Sequence, residues 1–225
     1  MAAASPVKAP PKVSELINRR LKELQRMPSE LATAMQVPES YVTDLLAGRR
    51  PPPAPGRTDV YDRMTKFLRL HRNELSASAR LERAAEAGGS RRPHVKVRKL
   101  LFELCEPTRA RAVSRRLADR KRNVALEILI AQRLLEVAQG FVRRQLDDEV
   151  GIRVAAKREG CSHTEMRLRL INFLDVTPES LTVADHEVYL RPRIAAWDID
   201  LETNAMKIVL RSHDPEPRRQ RALRI

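Results

Sequence analysis

Few residues in this chain of 225 have the types and spacing that bond-making chemistry needs. Asp198, Asp200 and Glu202 alternate, so a strand would set three carboxylates on one face, a donor set that can hold magnesium for a nuclease. The polar outer face of an amphipathic strand has the same spacing, and that reading is preferred. Cys161 and His163 stand too close for a usual zinc pair and have no further ligands near them in sequence. The five histidines are scattered, and the seven glycines form no phosphate-cradling loop. The chain is therefore not read as an enzyme, and neither a metal nor a cofactor is expected. What remains is the chemistry of recognition: hydroxyls, carboxylates and guanidinium groups gathered in residues 28–57 and again in 150–181.

The elements that must position the first group are two short helices and a turn. Pro28 and Ser29 open a helix, because proline loses nothing in a first turn. Leu31, Ala32 and Met35 fall on one face at helical spacing, with Ala32 small enough for a steep helix crossing. Gln36, Val37 and Pro38 make the turn, with Val37 the apolar plug beneath it. Glu39 to Ala47 is the second helix, facing inward with Val42, Leu45 and Leu46, and Gly48 supplies a left-handed C-terminal cap. An amphipathic helix carrying Val13, Leu16, Ile17, Leu21 and Leu24 precedes this pair. Another follows, with Val60, Tyr61, Met64, Phe67, Leu68 and Leu70, and Leu75 closes the unit.

With these residues in place, the segment from about 13 to 76 resembles the lambda-repressor/Cro (XRE-like) helix-turn-helix family. The matching string is Leu31-Ala32, then Val37 through Leu45, then Gly48-Arg49-Arg50, with the helix around Phe67-Leu68. The resemblance implies a compact helical bundle, a bacterial origin and a role in transcriptional control, usually repression, by binding double-stranded DNA as a homodimer. It places the second helix in the major groove. By position, Glu39, Ser40, Tyr41, Thr43 and Asp44 are the expected base readers, and Ser29, Arg49, Arg50 and Arg57 the expected phosphate contacts. There are departures from the family pattern. Gln36 stands where a turn glycine is usual, and Glu39 and Asp44 put carboxylates where glutamine, asparagine or arginine is commoner. A carboxylate accepts from a cytosine amino group but repels phosphate.

Composition agrees with a nucleic-acid partner. The net charge is +14, from 43 basic and 29 acidic residues, divided +5, +7 and +2 among successive thirds of the chain. Aromatic residues are only 4%, too few for stacking platforms that hold single strands. Two cysteines make neither a disulfide framework nor a zinc site. No apolar run is long enough for a membrane span, and residues 1–12 lack the apolar core of a signal peptide. A cytoplasmic, nucleoid-associated protein with no membrane partner is expected.

The expected architecture is mainly α. It comprises a disordered arm over 1–12, a helix-turn-helix domain over 13–87, a linker over 88–94 around Gly88-Gly89-Ser90, a helical dimerisation or regulatory domain over 95–214, and a basic tail over 215–225. The second domain opens with a helix over 95–105 and an arginine-dense stretch over 109–122. Val124, Ile128, Ala131, Leu135, Ala138 and Val142 then form a stripe that must be buried, as core or as a dimer interface. Residues 150–181 repeat the helix-turn-helix pattern, with Ala156 as the small residue and Gly160 in the turn. This second pattern would expose Ser162, His163, Thr164, Arg167 and Arg169 as a possible second DNA contact. Phe173, Leu174 and Leu181 echo Phe67, Leu68 and Leu75, which raises the reading of an internal duplication beside that of an ordinary helical pair. Val188, Leu190 and Ile194, then the residues to Leu210, alternate like strands, giving a β-hairpin over 194–211. Two other functions fit the same features: a nucleoid-type protein that coats DNA, or an antitoxin-like module that binds a protein regulator.

Overall fold

A computed structural model describes residues 12–86, 93–118 and 124–212. The arm, most of the linker and the basic tail expected from the sequence lie outside the described residues, as do Asp119, Arg120, Lys121 and Arg122 of the arginine-dense stretch. The described chain is mainly helical, with one two-stranded antiparallel hairpin near its end. It divides into two compact units, one of the described residues 12–86 with 139–180, the other of 93–118 and 124–138 with 181–212. The expected single boundary near 88–94 is thus joined by two more, within a long helix at 138/139 and at 180/181.

In the first unit, α1 (Val13–Glu23), α2 (Pro28–Met35), α3 (Glu39–Leu46), α4 (Thr58–Leu68) and α5 (Glu74–Glu86) follow one another. Each forms where the apolar spacing is helical. Their inward residues, among them Val13, Ile17, Leu31, Met35, Val42, Leu45, Met64, Leu68 and Leu75, build one core that Ile171 joins from the later segment. Leu75 does not end the unit. It is fully buried in the first turn of α5, whose Glu82 carboxylate accepts the Val13 N–H at 2.9 Å and so satisfies one orphan donor of α1. The open carbonyls at helix C-termini are met by side chains of α1: Asn18 Nδ2 donates to Leu46 O at 3.2 Å, and Arg20 donates to Leu68 O and Arg69 O at 3.2 and 3.0 Å.

The later part of this unit is the end of α8 (Val124–Asp147), then α9 (Glu149–Glu159) and α10 (His163–Leu174). Of the stripe expected along α8, Ala131, Leu135, Ala138 and Val142 are each at most 3% exposed in the single chain, whereas Val124 and Ile128 are half-buried. Those four positions are therefore core, and their burial requires no second subunit.

In the second unit, α6 (Val95–Glu103) and α7 (Pro107–Ala118) are followed by the first part of α8. A short helix α11 (Val183–Asp185) runs into a π-helical turn over His186–Leu190, so Val188 and Leu190 are not on a strand. Thr182 and Asp185 cap that start reciprocally. Strand β1 (Ile194–Ile199) pairs antiparallel with β2 (Met206–Leu210), Trp197 opposite Ile208, with an irregularity between Ile194 and Ala196. Trp197 organises the unit. It is fully buried, its indole N–H donates to Leu101 O at 2.7 Å, and its backbone bonds to Leu104 O and Glu106 N between α6 and α7. Among the described residues, no helix is long and apolar enough to cross a membrane.

Candidate nucleic-acid interface

The turn between α2 and α3 has the form that its residues dictate. Gln36 adopts the left-handed conformation (φ 59°, ψ 41°) that ends α2, and the Val37 N–H returns to Ala32 O at 3.1 Å. Ala32 is 3% exposed where the helices meet. Pro38 then sets the entry to α3, and Gly48 takes φ 67° after it. The inner face of α3 holds Val42 and Leu45, and its outer face carries Glu39, Ser40 and Thr43, all exposed. Thr43 Oγ1 donates to Glu39 O at 3.0 Å. Asp44, half-buried, accepts from Arg49 Nε at 2.7 Å, so the first arginine after the helix is turned back onto it.

Three of the expected contacts are corrected. Tyr41 is fully buried, not on the reading face. Its hydroxyl donates to Asp175 Oδ2 at 2.6 Å. Burial first, and the Asp175 charge second, hold its pKa well above the ordinary phenol value, so it stays neutral. Arg57 is 4% exposed and is gripped by Asp175 (3.2 Å) and by both oxygens of Asp59 (3.1 and 3.2 Å). Burial works against its charge, but these carboxylates outweigh burial and leave its pKa raised. Arg50 stacks on the Tyr41 ring, its guanidinium carbon 3.5 Å from the ring centroid, and donates to Asn172 and Asp175. Both arginines thus neutralise a buried carboxylate and are not available to phosphates. Asp175 also accepts from Ala54 N at 3.3 Å, and its own carbonyl takes a bond from Arg83. It therefore ties together α3, the proline-rich connector over 51–55, α5 and α10. Ser29 is exposed at the start of α2, where Glu30 already accepts the Met27 N–H at 2.7 Å. An anion approaching that helix end meets a carboxylate.

The second pattern folds with the same turn. Gly160 takes φ 66°, the Cys161 N–H returns to Ala156 O at 3.0 Å, and Ala156 is 3% exposed between α9 and α10. Ser162 caps α10 through Glu165 N at 3.1 Å, and Thr164 is exposed beside it. The charged residues expected to face outward are engaged within the hairpin. His163 Nε2 lies 2.8 Å and Arg167 Nη1 2.6 Å from the Glu149 carboxylate, and Arg169 is paired with Glu165 and Glu159. The duplication does not hold its register. Phe67 and Leu68 lie on α4, a helix beyond the one after the turn, whereas Phe173 and Leu174 lie on α10 itself.

The carboxylates near the hairpin do not converge. Asp200 closes the turn, accepting from Glu202 N at 2.9 Å and Thr203 Oγ1 at 2.8 Å, and Asp198 lies 3.6 Å from Arg109. Among the described residues, no group of three metal-ligating side chains occurs.

Sequence reasoning missed Asp175, because its partners stand more than a hundred residues upstream and nothing local marks it. Tyr41 was findable: it stands four residues before Leu45, on the inward side of α3. The chain matches no protein-family profile, no curated protein and no solved structure.

Proposed function

We propose that this protein binds duplex DNA with α3 in the major groove and regulates transcription by occupying its site. The observation that carries the reading is the α2–turn–α3 unit: a tight left-handed turn over a small buried alanine, with Glu39, Ser40 and Thr43 presented on the outer face. Serine and threonine hydroxyls accept or donate to base edges, and Glu39 can accept from a cytosine amino group. The overall charge of +14 supplies affinity without sequence preference. Arg49 remains as the phosphate contact next to α3, in exchange for its bond to Asp44.

The test is recovery and sequencing of genomic fragments bound by the purified protein near physiological salt. An enriched motif whose preference is blurred by Ser40→Ala, Thr43→Ala supports the reading. A palindrome with half-sites a helical turn apart assigns two copies per site, and a single half-site assigns one. A second reading, a protein that coats DNA with little preference, is favoured by the carboxylates that Glu39 and Asp44 place on α3. Equal affinity for all duplexes selects it. Absence of any bound fragment overturns both and points to the protein-interaction alternative.

A further inference from the structure

The acidic side chains of α9 are spent within its own hairpin, and its cations are not. Glu149 holds His163 and Arg167, and Glu159 holds Arg169. On the inward side, Ile152 and Ala156 are buried. The opposite side carries Val150, Arg153, Val154, Lys157 and Arg158, spaced three and four residues apart and all exposed. Among the described residues, Arg153, Lys157 and Arg158 have no ion-pair or hydrogen-bond partner, which sets them apart from every cation of α10. Val150 and Val154 are 71% and 64% exposed beside them. The sequence pattern had pointed to α10 as a second contact; the free charge is on the helix before it.

We propose that this face of α9 is a second duplex-DNA contact, in which Arg153, Lys157 and Arg158 engage the phosphate backbone. It rests on the reading of the protein as a DNA binder. In a helix-turn-helix the first helix crosses the backbone while the second enters the groove, and α9 is the first helix of its pair. Three unpaired cations within two turns match a row of phosphates, each of which releases counterions when neutralised. The face carries no acidic side chain that would oppose this. These contacts are blind to sequence, so they add affinity to whatever α3 selects.

The experiment measures binding of the full chain to a short labelled random-sequence duplex across a salt series. Wild type is compared with Arg153→Gln/Lys157→Gln/Arg158→Gln and with a charge-matched triple on α7, Arg111→Gln/Arg115→Gln/Arg116→Gln. The α9 triple should lower the slope of log affinity against log salt by about 2 to 3. The α7 triple should change it less, and Arg153→Lys/Arg158→Lys should restore it. Equal losses in the two triples mean net charge rather than a built surface and overturn the proposal, as does an unchanged slope. If the α9 triple keeps duplex binding but loses binding to phosphatidylserine vesicles, the face is a lipid-surface element and the proposal falls. Ser40→Ala, Thr43→Ala separates the two readings. If it leaves sequence preference intact while the α9 triple loses slope, the role of α3 fails and that of α9 stands. No salt-dependent binding of wild type to any duplex removes both.

Discussion

Asp175→Asn removes one charge from the most densely bonded carboxylate among the described residues while keeping its shape. In the native state that carboxylate faces two guanidinium groups whose side chains are 5% (Arg57) and 15% (Arg50) exposed, with a tyrosine hydroxyl at 2.6 Å. Removing one member of a buried pair typically costs about 3 to 5 kcal/mol, because the other charge stays buried without compensation. Arg57 keeps Asp59, which is half-exposed, so the low end of the range applies, roughly 3 kcal/mol. For a chain of this length the corresponding fall in Tm is about 6 to 12 °C. Far-ultraviolet circular dichroism during heating, and urea unfolding at one temperature, measure it. Asp59→Asn is the internal comparison, expected to cost about 1 kcal/mol or less because its side chain is 49% exposed. The double variant Arg57→Gln/Asp175→Asn should be less destabilised than the sum of its parts by at least about 1 kcal/mol, since the two groups are in contact. If Asp175→Asn costs no more than Asp59→Asn, or the double variant is strictly additive, the reasoning that Asp175 compensates buried charge is wrong.

Gln36→Gly should raise stability by about 1 kcal/mol, since φ 59° costs a side chain what glycine is spared, and a thermal melt reads it. On the alkaline side, burial above all raises the pKa of Tyr41 and Tyr61. The folded state therefore keeps these protons when the unfolded chain loses them, and stability should fall as pH rises above about 10, followed by urea midpoints through that range. On the acid side, the bonds and charge of Arg57 outweigh burial and hold Asp59 below its ordinary value. Its contribution is present above about pH 4 and is lost as pH falls through the folded pKa, so the Asp59→Asn variant should lose less stability than wild type on acidification. Cys105 is 5% exposed, and burial pushes its pKa up to about 11, so a disulfide reagent near neutral pH should titrate Cys161 first and Cys105 only on unfolding.

The helix-turn-helix over 28–48 was legible because everything that specifies it is local: a small residue, a turn and a glycine cap within some twenty positions. The same local grammar revealed α9, its turn and α10, and alternation revealed the hairpin. It failed where a short alternating run was ambiguous. Val188 and Leu190 alternate, yet the capped start at Thr182 leads them into a helical turn. It failed more seriously where charge was judged by neighbours in sequence. Arg50 and Arg57 flank a proline run and read as surface cations, but a carboxylate far downstream takes them inward. The exposed cations of α9 carry no local mark for the converse reason: Glu149 and Glu159 stand beside them in sequence, and the fold sends those acids to α10.

The first compact unit is assembled from two separated stretches, and Asp175 belongs to the later one. During synthesis, residues 13–86 leave the ribosome with Tyr41, Arg50 and Arg57 already in place but without the carboxylate that neutralises them, 118 to 134 positions away. The N-terminal helices can form from their local sequence, yet two arginines and a tyrosine hydroxyl must stay hydrated until α10 emerges. Completion of α3's support is thus a late event in the life of each chain. A nascent or truncated copy presents an α2–turn–α3 unit that is not yet held, so a protein cut short before residue 175 would lack the contacts that steady α3.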